Sequence, residues 1–368
     1  MSSEQCRILH IVESFGGGCL TALSLLTKSL TKNYQHTIVY SNRNETVKNF
    51  RDNFQDHVNF IPLNMNLSAN PAHILFTLIS LKKIISENNP HVVHCHSSIA
   101  GVFGRIASRL AGVPSLYTPH AYAFLRSDIG AIARTGIRSI EWGLAKIGTA
   151  IAACGDEEYL LALRLSGDEQ KVFLAHNAID LVMIDAISDT RTPKSETNKI
   201  QVGTCGRLTN QHGLDWFVHA ATSLQYEASW VWVGAKADSR DLPAFVKRTG
   251  WVDNKIALNC VASMDIFVHP TQWDGLSYAL LEAMSLRKPV VVSDIPPNRA
   301  VVQHGVNGFV AKNAPEMEHY IRILINDPEL RHQMGAAGRH YVEQNHRIDI
   351  VRQNYDAIYQ NLATNIAR

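Results

Sequence analysis

Residues 265–286 read DIFVHPTQWDGLSYALLEAMSL, and the fold prediction starts from this stretch. Its apolar beginning, DIFV at 265–268, predicts a buried strand that ends before Pro270. Strong helix formers follow Gly275 and predict a helix up to Leu286. A strand, a glycine-containing turn and a helix N-terminus present free backbone N–H groups and a positive dipole end to an anion. The stretch therefore predicts a strand–turn–helix unit with an anion-binding turn.

Two carboxylates lie in this unit, Asp274 before the predicted helix and Glu282 inside it. A helix advances about 100° and about 1.5 Å per residue, so Glu282 lies roughly two turns from Asp274 and is rotated by about 80°. That spacing suits an extended ligand with an anionic group at the turn and hydroxyl groups on either side. The alternative is that Asp274 caps the helix and Glu282 is an ordinary surface carboxylate. This segment alone leaves both interpretations open.

Strand-like and helical patterns alternate along both halves of the chain. In the first half, apolar segments predict strands at residues 6–12, 35–41, 58–63, 91–96, 115–120 and 150–154. The polar stretch SDTRTPKSETNK at 188–199 interrupts the pattern, which restarts at 200–206 and includes a short predicted helix at 242–248. The alternation predicts an α/β fold with two Rossmann-like, doubly wound parallel-sheet domains facing a cleft. We expect domains at 1–187 and 200–350, joined by the linker.

Composition limits the class of protein. At 368 residues the chain is long enough for two domains, and its 46% hydrophobic and 18% charged residues are typical of soluble globular proteins. The net charge of +2 gives no reason to expect a nucleic-acid partner. No apolar run reaches the length of a membrane span, and the N-terminal residues lack the order of a signal peptide. These features predict a cytoplasmic protein.

The cysteines are scattered and show no CxxC spacing, which is typical of buried thiols in a reducing compartment. The tightest group of metal-binding residue types is His94-Cys95-His96, at the end of a predicted strand. Successive side chains of a strand point to opposite faces, so these three cannot converge on one ion. We therefore predict no metal site.

Other candidate binding residues also follow predicted strands. Gly16–Gly18 follow the first strand and let the backbone approach a ligand, although a flexible loop is an equal alternative. Arg207 follows the strand at 200–206 and offers a forked, charged set of donors for phosphate, with His212 as a second donor in the same loop. Surface salt bridging is the alternative for Arg207. His120 ends another strand, where it can contact a sugar hydroxyl or act as an acid.

Several short motifs occur in order along the chain. They are HVVHCHS at 91–97, TPHAY at 118–122, HNAID at 176–180, CGRL at 205–208, GWVD at 250–253, DGLSYALLEAM at 274–284 and NGFV at 307–310. Together they resemble the motifs of the retaining, nucleotide-sugar-dependent glycosyltransferases of family four, over nearly the whole chain. DGLSYALLEAM is similar to the E-x-seven-E element of that family. The resemblance implies the GT-B fold, with a C-terminal helix at 351–368 that packs back on the first domain.

The resemblance also implies roles for these residues. Asp274 would orient the transferred sugar, and Glu282 would accept hydrogen bonds from the ribose hydroxyls of the donor. Arg207, with residue 212, would neutralise the diphosphate without a metal. The other implied donor contacts are Val252 near the base and the backbone of Gly275, Leu276, Ser277 and Tyr278. The implied contacts from the N-terminal half are His120 and the loop of Gly16, Gly17 and Gly18. The nucleotide-sugar is a substrate, so no cofactor is implied.

The chain departs from the family pattern at two charged positions. The family usually has lysine where this chain has His212, and glutamate where it has Asp274. A neutral imidazole neutralises phosphate less well than an ammonium group. Lys236, after the predicted strand at 230–235, is a candidate for the missing charge.

Residues 124–148 form a basic amphipathic segment. Arginines and a lysine alternate there with isoleucine, leucine and tryptophan. Such a helix can lie on an anionic membrane surface, and many members of the family use lipid-linked acceptors. The alternative is a helix packed on its own sheet. A location at the inner face of the cell membrane is therefore expected only if the first interpretation holds.

The resemblance predicts a retaining, metal-independent glycosyltransferase. Its expected partners are a nucleotide-sugar donor, which the family pattern predicts to be a UDP-sugar, and a saccharide or lipid-linked acceptor of envelope polysaccharide or glycolipid synthesis. One alternative is a catalytically weak relative that binds nucleotide-sugar or a partner protein, because of the departures at His212 and Asp274. A second alternative is a nucleotide-sugar epimerase.

Overall fold

The computed structural model of the protein describes residues 5–13, 15–31, 33–42, 46, 49–66, 70–189, 199–234 and 241–364. The chain forms two compact units, Met1–Asn177 with Ile348–Arg368, and Ala178–Arg347. The first boundary lies before the expected position at 187. The helix at Leu181–Asp189 belongs to the second unit, where the guanidinium of Arg339 donates to both carboxylate oxygens of Asp185 at 2.7 and 3.0 Å.

The first unit is built on a seven-stranded parallel sheet in the order β3-β2-β1-β4-β5-β6-β7. Its strands are β1 (Cys6–Val12), β2 (Tyr34–Tyr40), β3 (Asn59–Pro62), β4 (Val92–His96), β5 (Ser115–Thr118), β6 (Ala150–Ala153) and β7 (Val172–Leu174). Its helices are α1 (Gly17–Ser29), α2 (Pro71–Asn88), α3 (Ser98–Ala111), α4 (Ala131–Ile147), α5 (Asp156–Ser166) and α13 (Ile348–Thr364). The strand order reverses beside β1, so the carboxyl ends of β1 and β4 form a switch point, where ligands bind in such sheets.

The C-terminal helix α13 is part of the first unit. The hydroxyl of Tyr34 on β2 donates to Oδ1 of Asp356 at 2.6 Å. The hydroxyl of Tyr359 lies 2.7 Å from Nδ1 of His94, and both side chains are buried. Polar contacts therefore fix this helix in addition to its apolar face.

The second unit is built on a six-stranded parallel sheet in the order β10-β9-β8-β11-β12-β13. Its strands are β8 (Ile200–Cys205), β9 (Ala228–Val233), β10 (Lys247–Arg248), β11 (Ile266–His269), β12 (Val290–Ser293) and β13 (Gly308–Ala311). Its helices are α6 (Leu181–Asp189), α7 (Leu214–Ser223), α8 (Asn254–Ser263), α9 (Tyr278–Ser285), α10 (Pro296–Val301), α11 (Ala314–Asn326) and α12 (Pro328–Asn345). Here the order reverses beside β8, so the switch point lies at the carboxyl ends of β8 and β11.

The prediction of a short helix at 242–248 is wrong. Lys247 and Arg248 form an edge strand that pairs with β9. The guanidinium of Arg248 donates to the carbonyl oxygens of Leu242, Pro243 and Val246, one of these at 3.1 Å and one at 3.3 Å. Those carbonyls are thereby bound to a side chain, which holds the preceding residues in turns.

Within the part of the chain that the structure describes, no helix is long and apolar enough to cross a membrane.

Candidate functional site

Two loops meet at the switch point of the second sheet. The first follows β8 and contains Arg207 and Gln211; the second follows β11 and leads into α9. The N–H of Gln272 donates to the carbonyl oxygen of Gln211 at 2.7 Å, and Nε2 of Gln211 donates to the carbonyl oxygen of Trp273 at 3.1 Å. The strands are parallel neighbours, so both loops lie at the same edge of the sheet. Arg207 and the start of α9 are therefore held on one side of this unit.

Arg207 is the exposed cation of this edge. Its Nη2 donates to Oε1 of Gln211 at 3.3 Å, which ties the guanidinium to the residue that bridges the two loops. Among the residues that the structure describes, Arg207 has no carboxylate partner within 4.0 Å. This finding argues against the salt-bridge alternative and leaves its positive charge available for an anion.

His212 supplies no charge to the loop. Burial, together with the neighbouring Arg207, lowers the pKa of His212 to about 4, so the imidazole is neutral at pH 7. A side-chain carbon placed on Gly206 would lie 3.4 Å from the His212 ring, so the ring packs closely under the loop backbone. The imidazole can donate one hydrogen bond, but the positive charge that could neutralise an anion at this edge comes from Arg207.

The start of α9 is not capped by the side chain of its own N-cap residue. Ser277 is the N-cap residue, its side chain makes no capping hydrogen bond, and the first turn contains no acidic residue. Oδ1 of Asp274 accepts from the N–H of Gly275 at 2.9 Å, outside the helix. Ser277, and not Asp274, is therefore the N-cap residue, and the positive end of the helix is not offset by a carboxylate of its own first turn.

Glu282 is buried, with only 7% of its surface exposed. Burial raises the pKa of its carboxyl group to about 8, although a hydrogen bond with Asn254 at the start of α8 acts in the opposite direction. The carboxyl group also raises the pKa of the Cys205 thiol, at the end of β8, after the larger effect of burial. The interpretation of Glu282 as an ordinary surface carboxylate is therefore wrong. A buried acid with a strongly raised pKa at a switch point is typical of a functional group.

Val252 and His269 lie in segments of the second unit that adjoin the strands described above. Val252 is half-buried in the segment before α8. Lys236 lies outside the described residues. His269, which was not predicted as a site residue, is the last residue of β11, and its buried Nε2 has no hydrogen-bond partner in the described part of the chain. Its position directly after an apolar strand and before Pro270 was the available signal.

The first unit has its predicted residues at the carboxyl edge of its own sheet. Gly16 is the N-cap residue of α1, and Gly17 has a φ of +53° with open space where a side chain would lie. Gly17 and Gly18 are the first residues of that helix. His120 follows β5, has a φ of +52° and packs its ring against His96, with 3.1 Å between Nε2 of His120 and Nδ1 of His96. Burial lowers the pKa of His120 to about 4.

Three buried histidines of the first unit could hold a metal by geometry. The ligand atoms of His10, His94 and His96 lie within 4.8 Å of one another. Cys95 is buried on the other face of the strand, as expected, but His10 on the neighbouring strand supplies an imidazole that lies far from His94 and His96 in the sequence. Both ring nitrogens of each histidine have hydrogen-bonding partners, so a metal would have to displace existing bonds.

Family comparisons agree with this geometry. Residues 16–182 match the family described as Glycosyltransferase Family 4, and residues 199–327 match the family described as Glycosyl transferases group 1. The chain belongs to the glycosyltransferases of family four, and its two parallel-sheet units have the GT-B fold. The predicted family and fold class are thus confirmed.

Two relatives illustrate the range of the family. The chain is 28% identical to the UDP-Gal:alpha-D-GlcNAc-diphosphoundecaprenol alpha-1,3-galactosyltransferase of Escherichia coli, over 68% of this chain and 69% of the relative. It is 23% identical to the alpha-D-kanosaminyltransferase of Streptomyces kanamyceticus, over 71% of this chain and 74% of the relative.

Solved structures share the fold at lower sequence identity. Anabaena HepE, in complex with UDP and glucose, superposes with a TM-score of 0.79 at 18% identity, covering 97% of this chain and 100% of that one. The sucrose-phosphate synthase of Thermosynechococcus elongatus superposes with a TM-score of 0.80 at 15% identity, covering 97% and 99%.

Proposed function

We propose that the protein is a retaining, metal-independent glycosyltransferase that moves a sugar from a UDP-sugar to a saccharide or lipid-linked acceptor in envelope polysaccharide or glycolipid synthesis. One observation carries the proposal: the exposed guanidinium of Arg207, which has no carboxylate partner among the described residues, is tied through Gln211 to the loop that leads into α9. A guanidinium and a helix N-terminus on one edge are suited to a diphosphate.

The buried carboxyl of Glu282 supports the same assignment. Two hydroxyl groups of a ribose can both donate to one carboxylate, and bonds to a charged acceptor are stronger than those to a neutral one. Donor binding would therefore favour the ionised form that burial disfavours in the free protein. The UDP complex of HepE and the UDP-Gal name of the Escherichia coli relative support UDP as the nucleotide.

In the proposed reaction the bond between the anomeric carbon and the donor phosphate breaks, and a bond from the acceptor oxygen forms on the same face of the sugar. The proton of the acceptor hydroxyl passes to the departing phosphate oxygen, so no protein base is required. Arg207 and the backbone N–H groups at the start of α9 stabilise the negative charge that develops on the diphosphate. Asp274 orients the sugar, and His120 contacts the acceptor side.

Donor turnover without an acceptor tests the proposal. We expect slow hydrolysis of a UDP-sugar by the wild-type protein, and a decrease of about 100-fold in both Asp274→Ala and Glu282→Ala, because each variant loses positioning in the transition state. Glu329→Ala, an exposed carboxylate of the same unit, is the control. Donor binding without any turnover would instead indicate a catalytically weak relative, and release of an epimerised sugar would indicate an epimerase.

A lipid-linked acceptor would place the first unit near a membrane, and α4 has a suitable surface. Ile132, Ile140 and Trp142 are 92%, 55% and 55% exposed. The one acidic residue of the helix, Glu141, is buried and accepts from Nη2 of Arg105 at 2.7 Å. The outward charges of α4 are therefore basic, which suits an anionic lipid surface at the inner face of the cell membrane.

Vesicle flotation tests this contact. We expect the protein to float with vesicles that contain anionic lipids at low salt, and a Trp142→Glu variant to float several-fold less, because the substitution places a charge in the apolar layer. Phe76→Glu changes an equally exposed apolar residue of α2, at 64% exposure, and is expected to float like the wild type. Absence of wild-type flotation at low salt would refute membrane contact.

A further inference from the structure

Four histidine rings of the first unit form one hydrogen-bonded line. Nδ1 of His36 lies 3.0 Å from Nε2 of His10, and Nδ1 of His10 lies 3.1 Å from Nε2 of His96. Nδ1 of His96 then lies 3.1 Å from Nε2 of His120. The rings belong to β2, β1, β4 and the loop after β5, which are successive neighbours in the sheet. We call these four residues the histidine line.

Every contact in the histidine line joins an Nδ1 to an Nε2. A neutral imidazole has one N–H donor and one acceptor nitrogen, so once a single ring is fixed the other rings must adopt the same tautomer. The rings are neutral at pH 7: burial lowers the pKa of His36 and of His120 to about 4, and the pKa values of His10 and His96 well below their usual range. The direction of the line therefore decides which nitrogen of His120 carries its proton.

The far end of the line sets that direction. Nε2 of His36 lies 3.4 Å from the carbonyl oxygen of Leu30, which can only accept. The proton of His36 must then reside on Nε2, and the same follows for His10, His96 and His120. The opposite direction would set a lone pair of His36 against the carbonyl oxygen. Since a carbonyl cannot exchange protons at neutral pH, the line fixes a tautomer and does not conduct protons to Leu30.

The backbone beneath His120 is fixed as well. His120 and Ala121 have φ angles of +52° and +90°, and such conformations of non-glycine residues cost on the order of 1–3 kcal/mol each. The N–H of Ala121 donates to Oε1 of buried Glu158 at 2.9 Å, and the N–H of Cys154 donates to its Oε2 at 2.7 Å. Glu158 thus holds the strained turn while His96 holds the ring. Within the described residues, Nδ1 of His120 has no hydrogen-bond partner.

We propose that His36, His10 and His96 are positioning residues that keep the proton of His120 on Nε2, so that Nδ1 is a permanent hydrogen-bond acceptor for a substrate hydroxyl. The tautomer follows from these contacts between neutral rings. Only the assignment of the hydroxyl to the sugar acceptor rests on the proposed function.

Nuclear magnetic resonance of protein labelled with ¹⁵N at histidine tests the tautomer, because protonated and unprotonated ring nitrogens have well separated shifts. We expect an Nε2-protonated His120 in the wild type and in His36→Gln, whose amide can donate to Leu30 and accept from His10. His36→Phe removes the anchor and is expected to give a mixture of tautomers. Its kcat/KM for transfer should fall about twofold for an equal mixture, because only the Nε2-protonated molecules can accept the hydroxyl, with donor affinity unchanged. His332→Phe, an exposed position, is the control.

Three results would overturn the proposal: an Nδ1-protonated His120 in the wild type, no difference between the two His36 variants, or one equivalent of tightly bound metal at His10, His94 and His96 in the purified protein. The resonance measurement needs no substrate. A protein that shows the expected tautomer but no transferase activity would therefore refute the proposed function and not the role of the histidine line.

Discussion

The Glu282→Gln variant is expected to be more stable than the wild type at pH 9 and unable to bind the donor tightly. The pKa of Glu282 is raised from 4.5 to about 8 in the folded protein, so the folded state binds the extra proton between these values. Stability therefore falls as the pH rises from about 4.5 to about 8, and the full cost of the buried charge is present above that range. Glutamine removes a cost on the order of a few kcal/mol.

The measurement is thermal unfolding of both proteins at pH 5 and pH 9, with UDP titration beside it. The difference between variant and wild type should be near zero at pH 5 and clearly stabilising at pH 9. Affinity for UDP should decrease roughly 100-fold, because an amide offers one acceptor oxygen where a carboxylate offers two charged ones. Glu329→Gln, at an exposed position, should change neither quantity. An equal stability difference at both pH values would show that Glu282 is not the buried acid described above.

The Gly213→Ala variant is expected to lose both stability and donor binding. Gly213 has a φ of +67°, and a side-chain carbon there would lie 1.9 Å from the carbonyl oxygen of Pro270. This close approach sets the spacing between the Arg207 loop and the loop before α9. Positive φ and overpacking together should cost about 2–5 kcal/mol, and the displaced loops should weaken UDP binding at least tenfold.

Gly305→Ala is the matched control for this clash. Gly305 has a φ of +79° but open space where the side chain would lie, so the substitution introduces backbone strain alone. Thermal unfolding and UDP titration of both variants separate the two effects. If the two variants lost equal stability and both kept wild-type affinity for UDP, the close contact with Pro270 would have no part in the site.

The sequence predicted the strand–turn–helix units because their signals are local. The apolar run at 265–268, Gly275 and the helix formers after it lie within one stretch of chain, and the structure places β11 and α9 there. The sequence could not decide between the alternatives for Asp274 and Glu282. That choice depends on the burial of Glu282 and on which residue caps α9, and both are set by neighbouring elements. The helix prediction at 242–248 was wrong because the sequence does not show side-chain contacts to the backbone. In the fold, the guanidinium of Arg248 donates to carbonyl oxygens of that segment.

The histidine line could not be predicted from the sequence. His10, His36 and His96 are far apart along the chain, and each is unremarkable within its own strand. They meet only because β2, β1 and β4 are neighbours in that order. The charge state of His212 could not be predicted from the sequence either, because the low pKa of its imidazole is caused chiefly by burial in the folded loop. The identity of His212 suggested a phosphate contact, and the packing around its ring determines that the imidazole is neutral.

We propose that the second unit binds a nucleoside diphosphate through Arg207 and the start of α9 without a cation. Calorimetric titration with UDP, in EDTA and then in Mg²⁺, tests it most directly. We predict equal affinities in the two buffers, and a loss of at least tenfold for Arg207→Ala with UDP but little change with uridine, which lacks the diphosphate. Binding that requires Mg²⁺, or an Arg207→Ala variant with wild-type affinity for UDP, would contradict the claim.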